Sequence, residues 1–489
     1  MLAQIYKPSL SLLTDLYQLT MAYGYWKLGV HDHQAVFHLH FRKNPFSGGY
    51  TLACGLADVV EYLEALRFDD DDIAFLGTLK GNDQQPLFDS AFLKYLRQFR
   101  FSCDVDAIPE GTVVFPHEPL VRVRGPMLQC QLLETPLLNL VNFQTLIATK
   151  ASRVCLAARG DPVVEYGLRR AQGVDGSLTA TRCAYIGGCM GTSSVLAAKL
   201  LAIPVRGTHA HSWVMSFPTE TEAFAAYAQA MPNNCVFLVD TYNTLQGIRH
   251  AAAIGKRLKA EGHRMVGIRL DSGDLAYLSI EGRKILDEAG LPDAKIMASN
   301  DLDETLIESL KHQGAKIDIW GVGTHLVTAY DQPALGGVYK LGAVRSDGDS
   351  PWEYKVKLSE SVAKTSIPGI QQVRRFSVGG QFIGDAIYDE PTGLTSPATI
   401  VDPRDMYRFK TIGAEAQSED LLVAVYRGGK RVYDPPTIHE SRKRGLEQVQ
   451  HLHPTIRRFA NPHEYPAGLD RGLNELRTRL ILKARGAEA

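Results

Sequence analysis

Cysteine is scarce in this sequence and never closely paired. Seven cysteines occur among 489 residues, none of them in CxxC spacing, and none follows Cys235. Disulfide frameworks and thiolate zinc sites need an even or closely spaced set of cysteines. The pattern therefore argues against both and favours reduced thiols, as in the cytoplasm.

Long apolar runs and an excess of one charge are also absent. Uncharged stretches such as 223–239 contain breakers like Pro232 and do not supply the ~20 apolar residues of a membrane span. Lys and Arg number 53 against 54 Asp and Glu, a formal net charge of −1, so no global field gathers nucleic acid or anionic lipid. The first ten residues lack the basic and apolar segments of a secretory signal, and we expect no export.

Composition and length are those of an ordinary globular protein. Hydrophobic residues make up 45% and charged residues 22%, which argues against disorder and against a coiled coil. At roughly 100 to 200 residues per domain, the chain is long enough for two to four domains. We predict an N-terminal α+β domain over 1–150, an α/β barrel domain over 151–345, and a C-terminal domain over 346–489 that is β-rich and then helical.

The middle segment repeats a β/α rhythm. Short apolar runs that end in polar or glycine-rich turns recur about every 20 to 30 residues, with helix-compatible stretches between them. The runs cover 162–167, 181–188, 203–211, 235–242, 265–274, 295–301, 317–324 and 336–342. Eight such runs predict an α/β barrel, with a doubly wound open sheet as the alternative. The rhythm then stops, and the chain is predicted to end in two helices broken at 461–469.

The ends of these runs are unusually polar. Functional groups of α/β barrels lie at the carboxyl ends of the strands. The residues found there are Glu165, Arg169, Arg170, Thr208, His209, His211, Asp240, Arg269, Asp271, Asp274, Asn300, Asp301, Gly321, Gly323 and Thr324. Guanidinium groups can pair with carboxylate or phosphate, and the aspartates can accept ribose hydroxyls or hold Mg²⁺ through water and substrate oxygens. Each charge taken alone is more typical of a helix cap or a surface ion pair, and it is their grouping at strand ends that indicates a site.

Two motifs at these ends leave alternatives open. The GVGT run at 321–324 is typical of a phosphate loop, because glycines let a phosphate approach the backbone, but it is also typical of a plain tight turn. The HxH pair His209 and His211 is compatible with a metal site, with a nucleophile or general base, and with structural histidines. His38 and His40 share one face of a predicted strand, and we interpret them as structural. The basic run at 441–445 indicates a solvated helix face rather than a nucleic-acid site.

Several blocks together resemble one family, the nicotinate phosphoribosyltransferases. The blocks are LLTDLYQLTMAYGYW (12–26), FRKNPFSGGY (41–50), LRRAQGVDG (168–176), GTHAHSW (207–213), LVDTY (238–242), GIRLDSGDL (267–275), GVGTHLVT (321–328) and NPHEYPAGL (461–469). The resemblance implies the irregular α/β barrel of type II phosphoribosyltransferases. It also implies the formation of nicotinate mononucleotide and pyrophosphate from nicotinate and phosphoribosyl pyrophosphate, coupled to ATP hydrolysis, in NAD salvage. Mg²⁺ would be the cofactor.

The resemblance also assigns roles to single residues. His211 corresponds to a phosphorylated histidine, and His209 to a variable position. The expected nicotinate contacts are Tyr17, Thr208 and Arg269, and the expected contacts of phosphoribosyl pyrophosphate are Arg169, Asp240, Asp271, Gly323 and Thr324. Tyr17 is expected to reach the site from a neighbouring subunit of a homodimer in the cytoplasm. No nucleic acid or membrane partner is expected.

Two rival functions remain at this point. A nicotinamide phosphoribosyltransferase would share the barrel, although the TDLYQLTMA block is more similar to the nicotinate enzymes. A catalytically silent barrel that binds a nucleotide or sugar phosphate is the alternative outside the enzyme class. Such a protein would not need the full set of His211, Arg269 and Thr324.

Overall fold

The computed structural model describes residue 6 and residues 10–359 and 365–486. The chain forms two compact units, one from Met1–Leu146 with Ala334–Ala489 and the other from Ile147–Pro333. The first is called the terminal unit and the second the middle unit. The threefold division predicted from the sequence stays a prediction.

The helices are short to medium in length, apart from one of 24 residues that begins at Glu134. They are α1 (Leu16–Lys27), α2 (Leu56–Ala65), α3 (Asp70–Thr78), α4 (Ser90–Arg97), α5 (Met127–Leu132), α6 (Glu134–Ala157), α7 (Gly173–Ile186), α8 (Val195–Leu201), α9 (His211–Met215), α10 (Glu220–Ala230), α11 (Thr244–Ala260), α12 (Leu275–Glu288), α13 (Glu304–His312), α14 (Thr324–Val327), α15 (Ile438–Gln450) and α16 (Arg471–Ala484). Within the described residues, none is both long and apolar enough to cross a membrane.

The strands belong to separate sheets. They are β1 (Gln34–His40), β2 (Thr51–Leu52), β3 (Asp104–Ala107), β4 (Val113–Val114), β5 (Val121–Pro126), β6 (Val163–Glu165), β7 (Gly191–Thr192), β8 (Val236–Leu238), β9 (Gly267–Leu270), β10 (Lys295–Ala298), β11 (Ile319–Val322), β12 (Val338–Arg345), β13 (Glu353–Tyr354), β14 (Gln371–Val378), β15 (Gln381–Asp389), β16 (Thr399–Asp402), β17 (Asp405–Thr411), β18 (Gln417–Asp420), β19 (Val423–Arg427), β20 (Lys430–Arg431) and β21 (Ala467–Asp470).

The middle unit is an irregular α/β barrel, as predicted. Its strands pair in the order β7-β6-β11-β10-β9-β8, every pair is parallel, and Val205 adds one parallel bridge to Thr192. The strands are buried because their side chains are almost all apolar, as at Ile268 and Leu270, both 0% exposed. Parallel pairing brings the carboxyl ends of these strands to one edge.

Two of the predicted barrel strands are wrong, and a third is reduced to a single parallel bridge. Residues 181–186 lie in α7, and a short apolar run cannot be told from a buried helical turn by periodicity. In 203–211 only Val205 bridges to another strand. The run 336–342 does contain a strand, β12, but it pairs antiparallel with β1 in the terminal unit. The two-residue strand β7 was missed because two residues carry no periodic signal.

The terminal unit is built on two larger sheets. One has the order β13-β12-β1-β5-β3-β19-β20 and the other β17-β16-β21-β15-β14-β18. The predicted N-terminal helix is confirmed as α1, whose Tyr23 and Trp26 pack on Phe92 of α4 at ring distances of 5.1 and 5.6 Å. The predicted β-rich C-terminal part and its two final helices, α15 and α16, are also confirmed.

The histidines of β1 are structural, as interpreted from the sequence. His38 is 1% exposed, and its Nε2 accepts the backbone N–H of Gln371 at 3.1 Å. His40 is 5% exposed on the same strand. Within the described residues no disulfide links the seven cysteines.

Candidate active site

The polar residues at the carboxyl ends of β8 and β9 form one connected cluster in the middle unit. Its centre is the side chain of Asp240, which is 1% exposed. Oδ1 of Asp240 lies 3.1 Å from Nε2 of His211, the first residue of α9. Oδ2 accepts the N–H of Asp271 at 2.9 Å and the hydroxyl of Ser272 at 2.7 Å. Because a carboxylate only accepts hydrogen bonds, His211 donates its Nε2–H, and in the neutral ring the lone pair is then on Nδ1.

Arg269 is held by hydrogen bonds to three side chains of the cluster. Its Nε donates to Ser299 Oγ at 2.8 Å, Nη1 to Thr208 Oγ1 at 3.1 Å, and Nη2 to Asp271 Oδ1 at 2.8 Å. A guanidinium has five N–H donors, so two remain for a ligand, one on each Nη. The side chain is 11% exposed, and this combination of burial and fixed geometry suits bidentate binding of a carboxylate or phosphate.

Tyr166 connects Arg269 to the GVGT run. The guanidinium carbon of Arg269 lies 5.5 Å from the centre of the Tyr166 ring, within the range of a cation–π contact. The ring also packs on Gly321, where a Cβ would approach Cδ2 of Tyr166 to 2.7 Å. Gly321 is therefore required by close packing as well as by any role in phosphate binding.

Glu165 organises the end of β6. Its carboxylate accepts the hydroxyls of Thr181 at 2.9 Å and Thr192 at 2.6 Å, together with the N–H of Gly167. Burial raises the pKa of Glu165, while these hydrogen bonds act in the opposite direction. Gly167 in turn lies against α14, since a Cβ there would be 2.2 Å from Cγ1 of Val327. The short turn that follows Gly167 is thereby fixed next to α14.

Most of the predicted site residues are close to this cluster. Thr208, His211, Asp240, Arg269 and Asp271 are linked by the hydrogen bonds given above. Gly323 and Thr324 begin α14, beside the turn Leu168–Arg170 that carries Arg169. In the described part of the chain no hydrogen bond or ion pair of Arg169 is found. Tyr17 belongs to the terminal unit, where it is 49% exposed on α1, and its role stays a prediction.

Other candidates from the sequence have structural explanations. Asp274 caps α12 by accepting the N–H of Tyr277 at 3.0 Å. His209 is 8% exposed, and its Nε2 lies 3.2 Å from the backbone N of Leu238. Asn300 and Asp301 form a turn with φ of +98° and +41° after β10. Among the described residues, no three His, Cys, Asp or Glu side chains are grouped so that they could hold a metal ion.

Sequence reasoning missed Tyr166, Ser272 and Ser299 as members of the site. Ser299 is the first residue after β10, and Tyr166 the first after β6, so the rule that placed the other residues at strand ends could have included both. The contacts of Tyr166 with Arg269 and Gly321 have no signature in the sequence, because the three residues belong to separate segments of the chain.

Solved structures of similar fold are found over nearly the whole chain. The crystal structure of human nicotinic acid phosphoribosyltransferase superposes with a TM-score of 0.81 at 34% identity, covering 96% of this chain and 99% of that one. A nicotinate-nucleotide pyrophosphorylase from Pyrococcus furiosus superposes with a TM-score of 0.68 at 21% identity, over 91% of this chain and 96% of that one. The second likeness concerns the fold alone.

The fold and the strand-end site together define an α/β barrel of the type II phosphoribosyltransferase class. Family models for the nicotinate phosphoribosyltransferase N-terminal domain, the nicotinate phosphoribosyltransferase family and its C-terminal domain match residues 12–142, 162–366 and 371–477. The chain belongs to the nicotinate phosphoribosyltransferase family. The Bacillus subtilis nicotinate phosphoribosyltransferase is 42% identical over 94% of this chain and 93% of its own length, and the human one 37% identical over 95% of each.

Proposed function

We propose that this protein transfers the phosphoribosyl group of phosphoribosyl pyrophosphate to nicotinate, which gives nicotinate mononucleotide and pyrophosphate for the salvage of NAD. The observation that carries the proposal is the guanidinium of Arg269, held beside the Tyr166 ring with two N–H donors still available. A planar aromatic acid matches this arrangement, because its carboxylate can pair with Arg269 while its ring lies near Tyr166. Thr208 is the neighbouring hydroxyl.

The phosphoribosyl pyrophosphate site follows from the adjoining strand ends. Asp271 is available to the ribose hydroxyls, while Arg169, Gly323 and Thr324 are available to the phosphate groups. Asp240 is buried and bonded through both oxygens, so it would act near the ribose by positioning Asp271 and Ser272. Departure of pyrophosphate leaves positive charge on the ribose, so that positioning and fixed charges contribute most of the catalysis. Mg²⁺ would neutralise the pyrophosphate, held by its oxygens and by Oδ2 of Asp271, for which no protein donor is found among the described residues.

ATP coupling would act through His211. Nδ1 of His211 attacks the γ-phosphorus of ATP, the bond to the bridging oxygen breaks, and ADP leaves. Asp240 keeps the Nε2–H bonded, so the nucleophilic lone pair stays on Nδ1. Water later cleaves the phosphohistidine to phosphate and free histidine. The half-exposed ring, 40% accessible, is open to a nucleotide, whereas Asp240 is not.

A homodimer with shared sites is the assembly we propose. Around the carboxyl ends of the barrel strands, apolar side chains are exposed on the middle unit: Leu168, Val174, Val205, Met215, Tyr242 and Tyr277. On the terminal unit α1 exposes Leu16, Tyr17 and Met21. Exposed apolar groups of this kind mark interaction surfaces, and a second copy would cover both. We expect the enzyme in the cytoplasm, where its thiols stay reduced.

The test is a turnover assay of the purified protein with Mg²⁺ and phosphoribosyl pyrophosphate, offering nicotinate or nicotinamide, each with and without ATP. We expect nicotinate mononucleotide to form preferentially and ATP to stimulate its formation. Preferential transfer to nicotinamide would assign the protein to the nicotinamide enzymes. Binding of phosphoribosyl pyrophosphate without any transfer would identify a silent binding protein. His211→Ala should retain slow transfer that ATP does not stimulate.

A further inference from the structure

His209 is the one buried side chain in a stretch of exposed loop. From 204 to 213 every other residue is exposed or half-buried, whereas His209 is 8% exposed. The backbone from 206 to 210 forms no helix or strand. This loop nevertheless carries Thr208 and leads directly into His211, two residues that need fixed positions in the site. Backbone pairing holds only the start of the loop, where the N–H of Arg206 donates to the carbonyl of Thr192 at 2.8 Å, so side chains must hold the rest.

The hydrogen bond of His209 attaches this loop to the edge of the barrel sheet. β8 is the last strand in the order of that sheet. The N–H of Val239 donates to the carbonyl of Arg269 in the neighbouring strand, so the alternation of a strand turns the N–H of Leu238 to the opposite, outer edge. There Nε2 of His209 lies 3.2 Å from it. The imidazole thus replaces the backbone carbonyl of a strand that is absent from this edge of the described sheet.

The ring is fixed in one tautomer and one orientation. Because the N–H of Leu238 donates, Nε2 of His209 must carry the lone pair and Nδ1 the proton, which faces the Ala210 carbonyl at 3.3 Å. Three aromatic rings surround the imidazole, from Phe224, Tyr227 and Phe237, with ring centres 5.0 to 6.4 Å away. Burial lowers the pKa of His209, and the charge of Arg269 acts in the same direction, so the ring stays a neutral acceptor.

The hydrogen bond between His209 and Leu238 joins the two segments that carry His211 and Asp240. Leu238 is two residues before Asp240, and His209 is two residues before His211. A displacement of the loop relative to β8 therefore changes the 3.1 Å separation of His211 and Asp240 directly. Arg269 also donates a hydrogen bond to Thr208 in this loop. That bond does not involve Leu238, so the N–H of Leu238 is still left unpaired if His209 is lost.

We propose that His209 is a positioning residue for His211, which fastens the 206–211 loop to the edge of β8 so that Asp240 can orient His211 for phosphorylation by ATP. The inference rests on the proposed role of His211. Its consequence is selective: loss of the acceptor at position 209 lowers the ratio of ATP-stimulated to ATP-independent transfer. It also lowers the fraction of protein that carries an acid-labile phosphoryl group after incubation with ATP.

The test compares three variants of the full-length protein. His209→Phe keeps an aromatic ring but has no acceptor, and His209→Gln restores an acceptor at the reach of Nε2. Phe224→Leu disturbs the same aromatic surroundings while the bond to Leu238 remains, and serves as the matched control. Leaving one buried N–H unpaired lowers the population of the ordered loop by about 10- to 100-fold. We expect H209F to lose ATP stimulation and phosphoenzyme by that factor, H209Q to recover most of both, and F224L to keep both despite a lower Tm.

Three other outcomes would each contradict one step of the proposal. Wild-type protein that forms no phosphoenzyme would overturn the proposed role of His211 itself. If the wild type is phosphorylated and H209F matches it, His209 does not position His211. An F224L variant as impaired as H209F would reduce His209 to a packing role. Should H209F not fold, His209→Asn replaces it, since its amide is polar but too short to reach Leu238.

Discussion

Asp240 and His211 form an asymmetric pair: the carboxylate is 1% exposed and the imidazole, 3.1 Å away, is 40% exposed. The second oxygen of Asp240 is already occupied by the N–H of Asp271 and the hydroxyl of Ser272. Asp240 is therefore a fixed acceptor, and it determines which nitrogen of His211 carries the proton. The side chain that reacts faces solvent, and the side chain that directs it does not.

Asp240→Asn should reverse the tautomer of His211. An asparagine must turn its oxygen towards the N–H of Asp271 and the hydroxyl of Ser272, so its NH₂ group faces Nε2 of His211. The ring then accepts at Nε2 and is protonated on Nδ1, which can no longer attack ATP. We expect phosphoenzyme formation to fall by at least about 100-fold, as tautomer-reversing substitutions do elsewhere. Rapid quench with labelled ATP measures it.

Asp274→Asn is the matched control for this substitution. Asp274 lies close to Asp271 in the sequence, but its side chain caps α12, a role that asparagine fills equally well. D274N should be phosphorylated at the wild-type rate. Equal losses in D240N and D274N would indicate a general disturbance of the loop rather than a change of tautomer.

Arg269→Lys should weaken nicotinate binding selectively. A lysine keeps the charge but cannot bond to Ser299, Thr208 and Asp271 while still offering two donors to a carboxylate. We expect KM for nicotinate to rise by about 10- to 100-fold and KM for phosphoribosyl pyrophosphate to change much less, as measured by steady-state kinetics. Arg283→Lys on α12, where the side chain bonds to Asp287, is the control. A uniform rise of both KM values would contradict the assignment of Arg269 to nicotinate.

The strand-end rule explains why much of the site could be predicted. Asp240 and Arg269 follow or end buried apolar runs, and in a parallel sheet such positions converge at one edge whatever the helices between them do. The same rule cannot distinguish a strand from a buried helical turn, which is why 181–188 was misassigned. Nor can it identify the sheet to which a strand belongs, as β12 illustrates.

The roles of Tyr166 and His209 could not be predicted, because they depend on contacts between distant segments. Tyr166 joins the site through a cation–π contact with Arg269 and through the space that Gly321 leaves open. His209 was compatible with metal binding, catalysis or a structural role, and only the unpaired edge of β8 distinguishes among these. Such contacts are made by side-chain geometry, which periodicity does not encode.

Two buried histidines of the terminal unit should make the fold sensitive to acid. Burial lowers the pKa of His40 to about 3 and that of His117 to about 4, from 6.5. The unfolded chain takes up these protons near pH 6.5 while the folded protein resists, so their stabilising contribution is full above that pH and is lost as the pH falls. At roughly 1.4 kcal/mol per pKa unit, His40 alone costs about 2 to 3 kcal/mol by pH 4.5.

Urea unfolding of the wild type and of His40→Gln at pH 7 and pH 4.5 measures this effect. The variant removes the titrating group, so it should lose less stability than the wild type between the two pH values. His453→Gln, an exposed position, should behave like the wild type. Parallel losses in all three proteins would show that His40 contributes nothing to the acid sensitivity.

Mixing two variants that each lack ATP-stimulated activity should restore that activity if the site is shared between subunits. Tyr17→Ala and His211→Ala carry their lesions on different compact units, and in a shared site the two residues would come from different chains. A mixed dimer then has one site with both lesions and one site with neither. Random exchange yields half mixed dimers, so the mixture should recover about a quarter of the ATP-stimulated activity of the wild type.

The variant that carries both substitutions in one chain is the control for this experiment. Mixed with wild-type protein, it gives dimers in which each site has one lesion, so every mixed dimer is inactive and activity falls below that of the wild-type chains present. Tyr17 and His211 acting within one chain would give the opposite pattern, because the two single variants would then never complement. Size-exclusion chromatography with light scattering, run on the same samples, establishes that dimers are present and that exchange has occurred.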